Sequence, residues 1–89
     1  MEDYAIAAYR SRTQVLQLEA ALKREGVGCQ VINTPREVAL GCGLSVRFDL
    51  QHVEAVRRVI DRLPHGGLIG MYRVNTGGGR RLTALALRQ

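Results

Sequence analysis

No apolar run in this 89-residue chain approaches the ~20 residues that a membrane-spanning helix needs, so the sequence holds no helical span. Cysteine and histidine are scarce, at two each. No pair of them stands at the spacing of a zinc knuckle, which argues against a resident metal. Gly77-Gly78-Gly79 is not followed by the Lys-Ser/Thr of a phosphate loop. No strand carries the Lys/Arg-Gly-Phe/Tyr run of an RNA-recognition sheet, so nucleic acid is not the expected partner. There is no internal repeat and no motif that calls for a cofactor. The opening Met1-Glu2-Asp3 is acidic and leads straight into a folded pattern, unlike a signal peptide. The expected location is therefore the cytosol, where two cysteines are read as free thiols rather than a bridge.

What remains is one small globular domain. The apolar fraction of 46% and charged fraction of 24% are ordinary for a folded chain. The net charge of +5 is unevenly spread. Residues 1–74 carry ten basic and eight acidic side chains, whereas Arg80, Arg81 and Arg88 are the charged groups of the remainder. The body is thus only mildly basic. Residues 75–89 read as a Gly-rich linker and a basic, flexible tail, outside a folded unit of residues 1–74.

Within that unit, strands and helices alternate. Tyr4 to Tyr9 is short and apolar, as in a central strand. Ser11 with Gln14 three residues on forms a capping box for a helix whose face is Val15, Leu18, Ala21 and Leu22. Lys23 and Arg24 suit its last turn, and Gly26 its end. Cys29 to Ile32 is a second strand. Leu44 to Phe48 is a third, with Leu44, Val46 and Phe48 on one face and Ser45 and Arg47 on the other. Asp49 caps a second helix with face Val53, Val56, Ile60 and Leu63, and Pro64 stops it. Leu68 to Val74 is the fourth strand.

The order βαββαβ predicts an α+β, ferredoxin-like fold: a four-stranded antiparallel sheet with both helices on one face. Its connectivity places three loops at one rim of the sheet. They carry Arg10-Ser11-Arg12, Thr34 to Gly43, and His65. Cys29 falls at the opposite rim and reads as a structural residue. His52, in a first helical turn, reads as exposed.

The connection after Asn33 is longer than a hairpin needs. Thr34, Pro35 and Glu37 form another capping box, predicting a short helix near Pro35–Leu40 and a compact turn at the rim. Cys42 follows, between Gly41 and Gly43. Without neighbouring side-chain bulk, a substrate or a partner's sulfur can approach the thiol closely. Arg10 and Arg12 at the first helix start, and Arg36 in the loop, would lower its pKa. Cys42 would lie just past the C-terminus of the short helix, whose dipole acts in the opposite sense.

Thr34-Pro35-Arg36-Glu37-Val38, then Cys42-Gly43-Leu44 running into Val46-Arg47-Phe48, make the chain resemble a family of small bacterial proteins described as putative selenium/sulfur carrier protein-like. A Gly26-Val27 helix end and a closing Met71-Tyr72-Arg73-Val74 also fit, so the resemblance spans residues 3–74. The chain departs from the family's pattern before the cysteine, where Ala39-Leu40-Gly41 stands in place of small hydroxyl residues. The resemblance implies a carrier rather than a stand-alone enzyme. Cys42 would accept sulfur or selenium as a persulfide or selenopersulfide and pass it between protein partners. Two readings compete with it. One is a binding or regulatory module without chemistry, docking a partner or a second copy of the chain on the open sheet face. The other is RNA binding, with Tyr4 and Tyr72 stacking bases there.

Overall fold

A computed structural model describes residues 3–38 and 43–85 of the chain. Its elements are β1 (Tyr4–Tyr9), α1 (Arg12–Arg24), β2 (Cys29–Asn33), β3 (Leu44–Phe48), α2 (Val53–Arg62), β4 (Leu68–Asn75) and β5 (Arg81–Leu85), with a 3₁₀ turn at Leu50–His52 before α2. The sheet order is β2-β3-β1-β4-β5, and every neighbouring pair is antiparallel.

The α1 boundaries follow from local chemistry. Ser11 Oγ accepts the Gln14 N–H at 3.2 Å. The Gln14 side chain does not close the expected box; its Oε1 accepts the Gly67 N–H instead, at 2.8 Å. At the other end Gly26 takes φ 78°, Val27 N–H donates to Leu22 O at 2.9 Å, and Gly26 N–H donates to Lys23 O at 3.1 Å. That is a Schellman closure, and Val27 and Leu22 are both buried beside it. For α2, Asp49 caps the 3₁₀ turn rather than the helix itself. Val56, Val59 and Ile60 form its buried face.

β5 corrects the four-stranded ferredoxin-like expectation. The strand lies in the stretch expected to be a flexible tail. Gly78 and Gly79 take φ of 71° and 104°, a turn conformation that other residues resist, and so the glycines reverse the chain instead of linking it loosely. β5 then pairs with β4 from Asn75↔Arg81 to Met71↔Leu85, and Leu85 packs against the core. The five-stranded sheet keeps the βαββαβ order and adds a strand along the outer edge of β4.

One sheet face meets the helices through Ala5, Ala7, Tyr9, Val46, Phe48 and Met71. The register puts Tyr4, Ile6, Ala8, Ser45, Arg47, Tyr72 and Val74 on the other face. That face was expected to be open, yet at its centre Ile6, Ala8, Ser45 and Val74 are all 0% exposed. At its border Arg47 lies over the Tyr4 ring, 3.8 Å from the centroid, so a cation–π contact occupies one of the two tyrosines considered for stacking bases.

Candidate functional site

The upper rim is where β1 ends and β3 and β4 begin. Three junctions are tied together there. Arg10 N–H donates to Gly67 O at 2.7 Å, which fixes the turn before β4 against the start of α1. Gly67 must be glycine in this packing: a Cβ would lie 2.8 Å from Ser11 Cβ. Thr34 N–H donates to Gly43 O at 3.1 Å and closes the neck of the β2–β3 loop. Gly43 takes φ 141°, and a Cβ there would press on Thr34 Oγ1 and Tyr9 O, each at 3.3 Å. Backbone approach, rather than loop flexibility, accounts for this glycine.

Between these junctions lies a cavity of about 680 Å³. Arg10, Arg12, Arg36 and Gly43 line it, joined by Asn33, Thr34 and Leu44. Four residues expected at the site are thus brought to one concavity from three separate segments. Ser11 sits between two of them, its hydroxyl committed to the α1 cap. Gly41 and Cys42 lie outside the described residues, as does the end of the short helix expected near Pro35–Leu40; residues 36–38 form a turn. His65 is exposed, is not among the lining residues, and has its Nδ1 2.7 Å from Leu63 O.

The charge in the cavity is of one sign. Among the described residues no carboxylate lines it, and Arg10, Arg12 and Arg36 form no salt bridge. The nearest acid in sequence, Glu37, is drawn away. Its carboxylate takes Arg80 Nε at 3.1 Å and Arg80 Nη2 at 2.9 Å. Hydrogen bonding to its own backbone N–H and to Arg80 holds the Glu37 carboxyl below its ordinary pKa.

That ion pair ties the β2–β3 loop to the residue before β5. Arg80 precedes β5 at the lower rim, opposite Thr34. Residues 36–38 form a turn, with Val38 N–H donating to Pro35 O at 3.0 Å, and from it the Glu37 side chain reaches Arg80. Pro35 is buried. Thr34 Oγ1 lies 2.8 Å from Ser45 Oγ. The sequence marked Thr34 as a helix cap and gave Ser45 no role. The period-two pattern of β3 put Ser45 on the solvent side, and only the loop above it makes the position interior.

Cys29 is a free thiol at the lower rim, half-buried against the core. Burial first, and the nearby Glu19 second, push its pKa up. Its Sγ lies 3.9 Å from Glu19 O. β2 places it four residues, roughly 13 Å, from the Asn33 end of the strand at the upper rim. Tyr9, buried under the upper rim, has its phenol pushed up to about 12 by desolvation. Among the described residues no three His, Cys, Asp or Glu side chains gather to hold a metal. No helix of the described residues is long and apolar enough to cross a membrane.

A family model described as putative Se/S carrier protein-like matches residues 4–64. The chain belongs to this family. The match takes in every segment that lines the rim cavity and stops before β4 and β5. No curated protein and no solved structure matches the chain.

Proposed function

We propose that this member of the Se/S carrier-like family carries a chalcogen atom on Cys42 and exchanges it with protein partners. The observation that supports the reading is the rim cavity, lined among the described residues by three arginines and no carboxylate beside Gly43, the residue next to Cys42. Positive potential of this kind favours a thiolate over a thiol, and the thiolate is the nucleophile. In loading, the Cys42 thiolate attacks the outer sulfur of a donor persulfide. An S–S bond forms to Cys42, the donor's own S–S bond breaks, and the donor leaves as a thiolate. In unloading, an acceptor nucleophile attacks the outer sulfur and Cys42 departs as the thiolate. Selenium follows the same exchange. A carrier of this type needs a docking surface and one activated thiol, not a full catalytic set.

The test is incubation with a persulfide donor followed by intact-protein mass spectrometry and peptide mapping. The expected product is a sulfur adduct on Cys42, absent in Cys42→Ser, with Cys29 unmodified under the same conditions because its pKa is raised. An unmodified Cys42 under conditions that load a free cysteine overturns the reading.

A further inference from the structure

We infer that the rim cavity is a binding site for a small molecule carrying two or more negative charges on carboxylate or phosphoryl groups. This deepens the carrier reading by naming the class of molecule that its rim accepts, but it rests on described residues alone. Three exposed arginines, Arg10, Arg12 and Arg36, line one concavity, and none has an ion pair among the described residues. Clustering like charges is unfavourable unless a counter-charge is bound, and an arginine fork matches carboxylate and phosphoryl oxygens in pairs. Glu37, beside Arg36 in sequence, is hydrogen-bonded to Arg80, and Arg36 acts on it only as the smaller, through-space charge. Arg12 is the first residue of α1, so the positive end of the helix dipole adds to the same field. Asn33 and Thr34 supply neutral polar groups, and Leu44 an apolar patch. A volume of about 680 Å³ exceeds what a lone oxyanion fills and falls in the range of small organic ligands.

The site is concave and lined from three segments, which favours a compact ligand over an extended acidic chain. Binding requires no chemistry at Cys42, so the experiment uses the full-length Cys42→Ser protein. Backbone amide NMR shifts are followed during titration with citrate in one arm and inorganic pyrophosphate in the other, at fixed ionic strength. Saturable shifts at Arg10, Asn33, Thr34 and Gly43 are expected. The stronger of the two arms identifies carboxylate or phosphoryl as the preferred group. Arg12→Ala and Arg36→Ala should each weaken binding about tenfold, as expected for one charge-assisted contact. Arg58→Ala, on α2 and outside the cavity, should leave it unchanged. Shifts that do not saturate, that spread over the surface, or that fall equally with Arg58→Ala overturn the site. Sulfur loading of the wild type, measured separately, reports on the carrier reading, so either can fail without the other.

Discussion

Ser45 and Thr34 show how a single hydroxyl can become costly once a loop covers it. Ser45 is fully buried, and Thr34 Oγ1 is 2.8 Å from its Oγ. Removing one partner strands the other, at a cost of about 1–3 kcal/mol, whereas removing both relieves the demand. Chemical denaturation of Ser45→Ala, Thr34→Val and the double variant should therefore be non-additive, the double variant being less destabilised than the sum of the singles. Additive losses would mean that the hydroxyls do not act as a pair. The sequence could not announce this contact. Strand alternation correctly put Ser45 opposite Val46, but alternation says which face a residue takes, not what lies over that face.

At the scale of elements, most of the fold was legible. β1, α1, β2, β3, α2 and β4 each carry a signal confined to a few neighbouring residues: the Ser11 cap, the Gly26 closure, the period-two pattern of β3 and the Pro64 stop. β5 does not. Arg81-Leu82-Thr83-Ala84-Leu85 is half exposed and follows three glycines, a composition shared by linkers and by hairpin turns. Only the bare edge of β4 decides between them. The Glu37–Arg80 contact was illegible for a similar reason, since it joins the β2–β3 loop to a residue of the β4–β5 turn. Of the candidate site, the convergence of Arg10, Arg12 and Arg36 was legible from topology; the diversion of Glu37 was not.

The acids that fasten the β4–β5 hairpin have a definite pH signature. Asp3 bonds Arg73, Asn75 and the Thr76 N–H, and Arg73 leads the causes that lower its pKa. The Glu37 pKa is lowered as well. A carboxyl with a depressed folded pKa contributes stability above its unfolded pKa and loses it as pH falls through the folded value. Hydrogen-exchange protection of β5 amides should accordingly be full at neutral pH and decline on acidification below the ordinary carboxylate range. Glu37→Gln and Arg80→Ala should both lower protection at neutral pH and flatten the acid response. A β5 signal equally pH-dependent in these variants would show that the ion pair does not hold the hairpin. Both groups are solvent-exposed, so salt should weaken the effect.

At the scale of the molecule, the boundary at Val74 can be tested by truncation. β5 covers the β4 edge and Leu85 packs on the core, so a chain ending at Asn75 should fold less stably than the full chain. A loss of only 1 kcal/mol would lower Tm by about 4–8 °C in a domain of this size, well within reach of a thermal melt. An unchanged Tm would make residues 76–89 an ornament to a self-sufficient unit of residues 1–74.

The position of β1 has a consequence for the birth of the chain. β1 precedes the other strands of this sheet in sequence, yet it lies in the middle, flanked by β3 and β4. Its residues from Ala5 to Tyr9 are buried on both faces in the finished molecule. On the ribosome this apolar segment emerges long before β4 exists to pair with it, and the central ladder closes only when nearly the last strand has left the exit tunnel. Pairings so distant along the chain make folding slow and late. β1 can pair with β3 once residues 44–48 have emerged, but its other edge stays bare until residues 68–75 follow, and a bare apolar edge invites association with other chains.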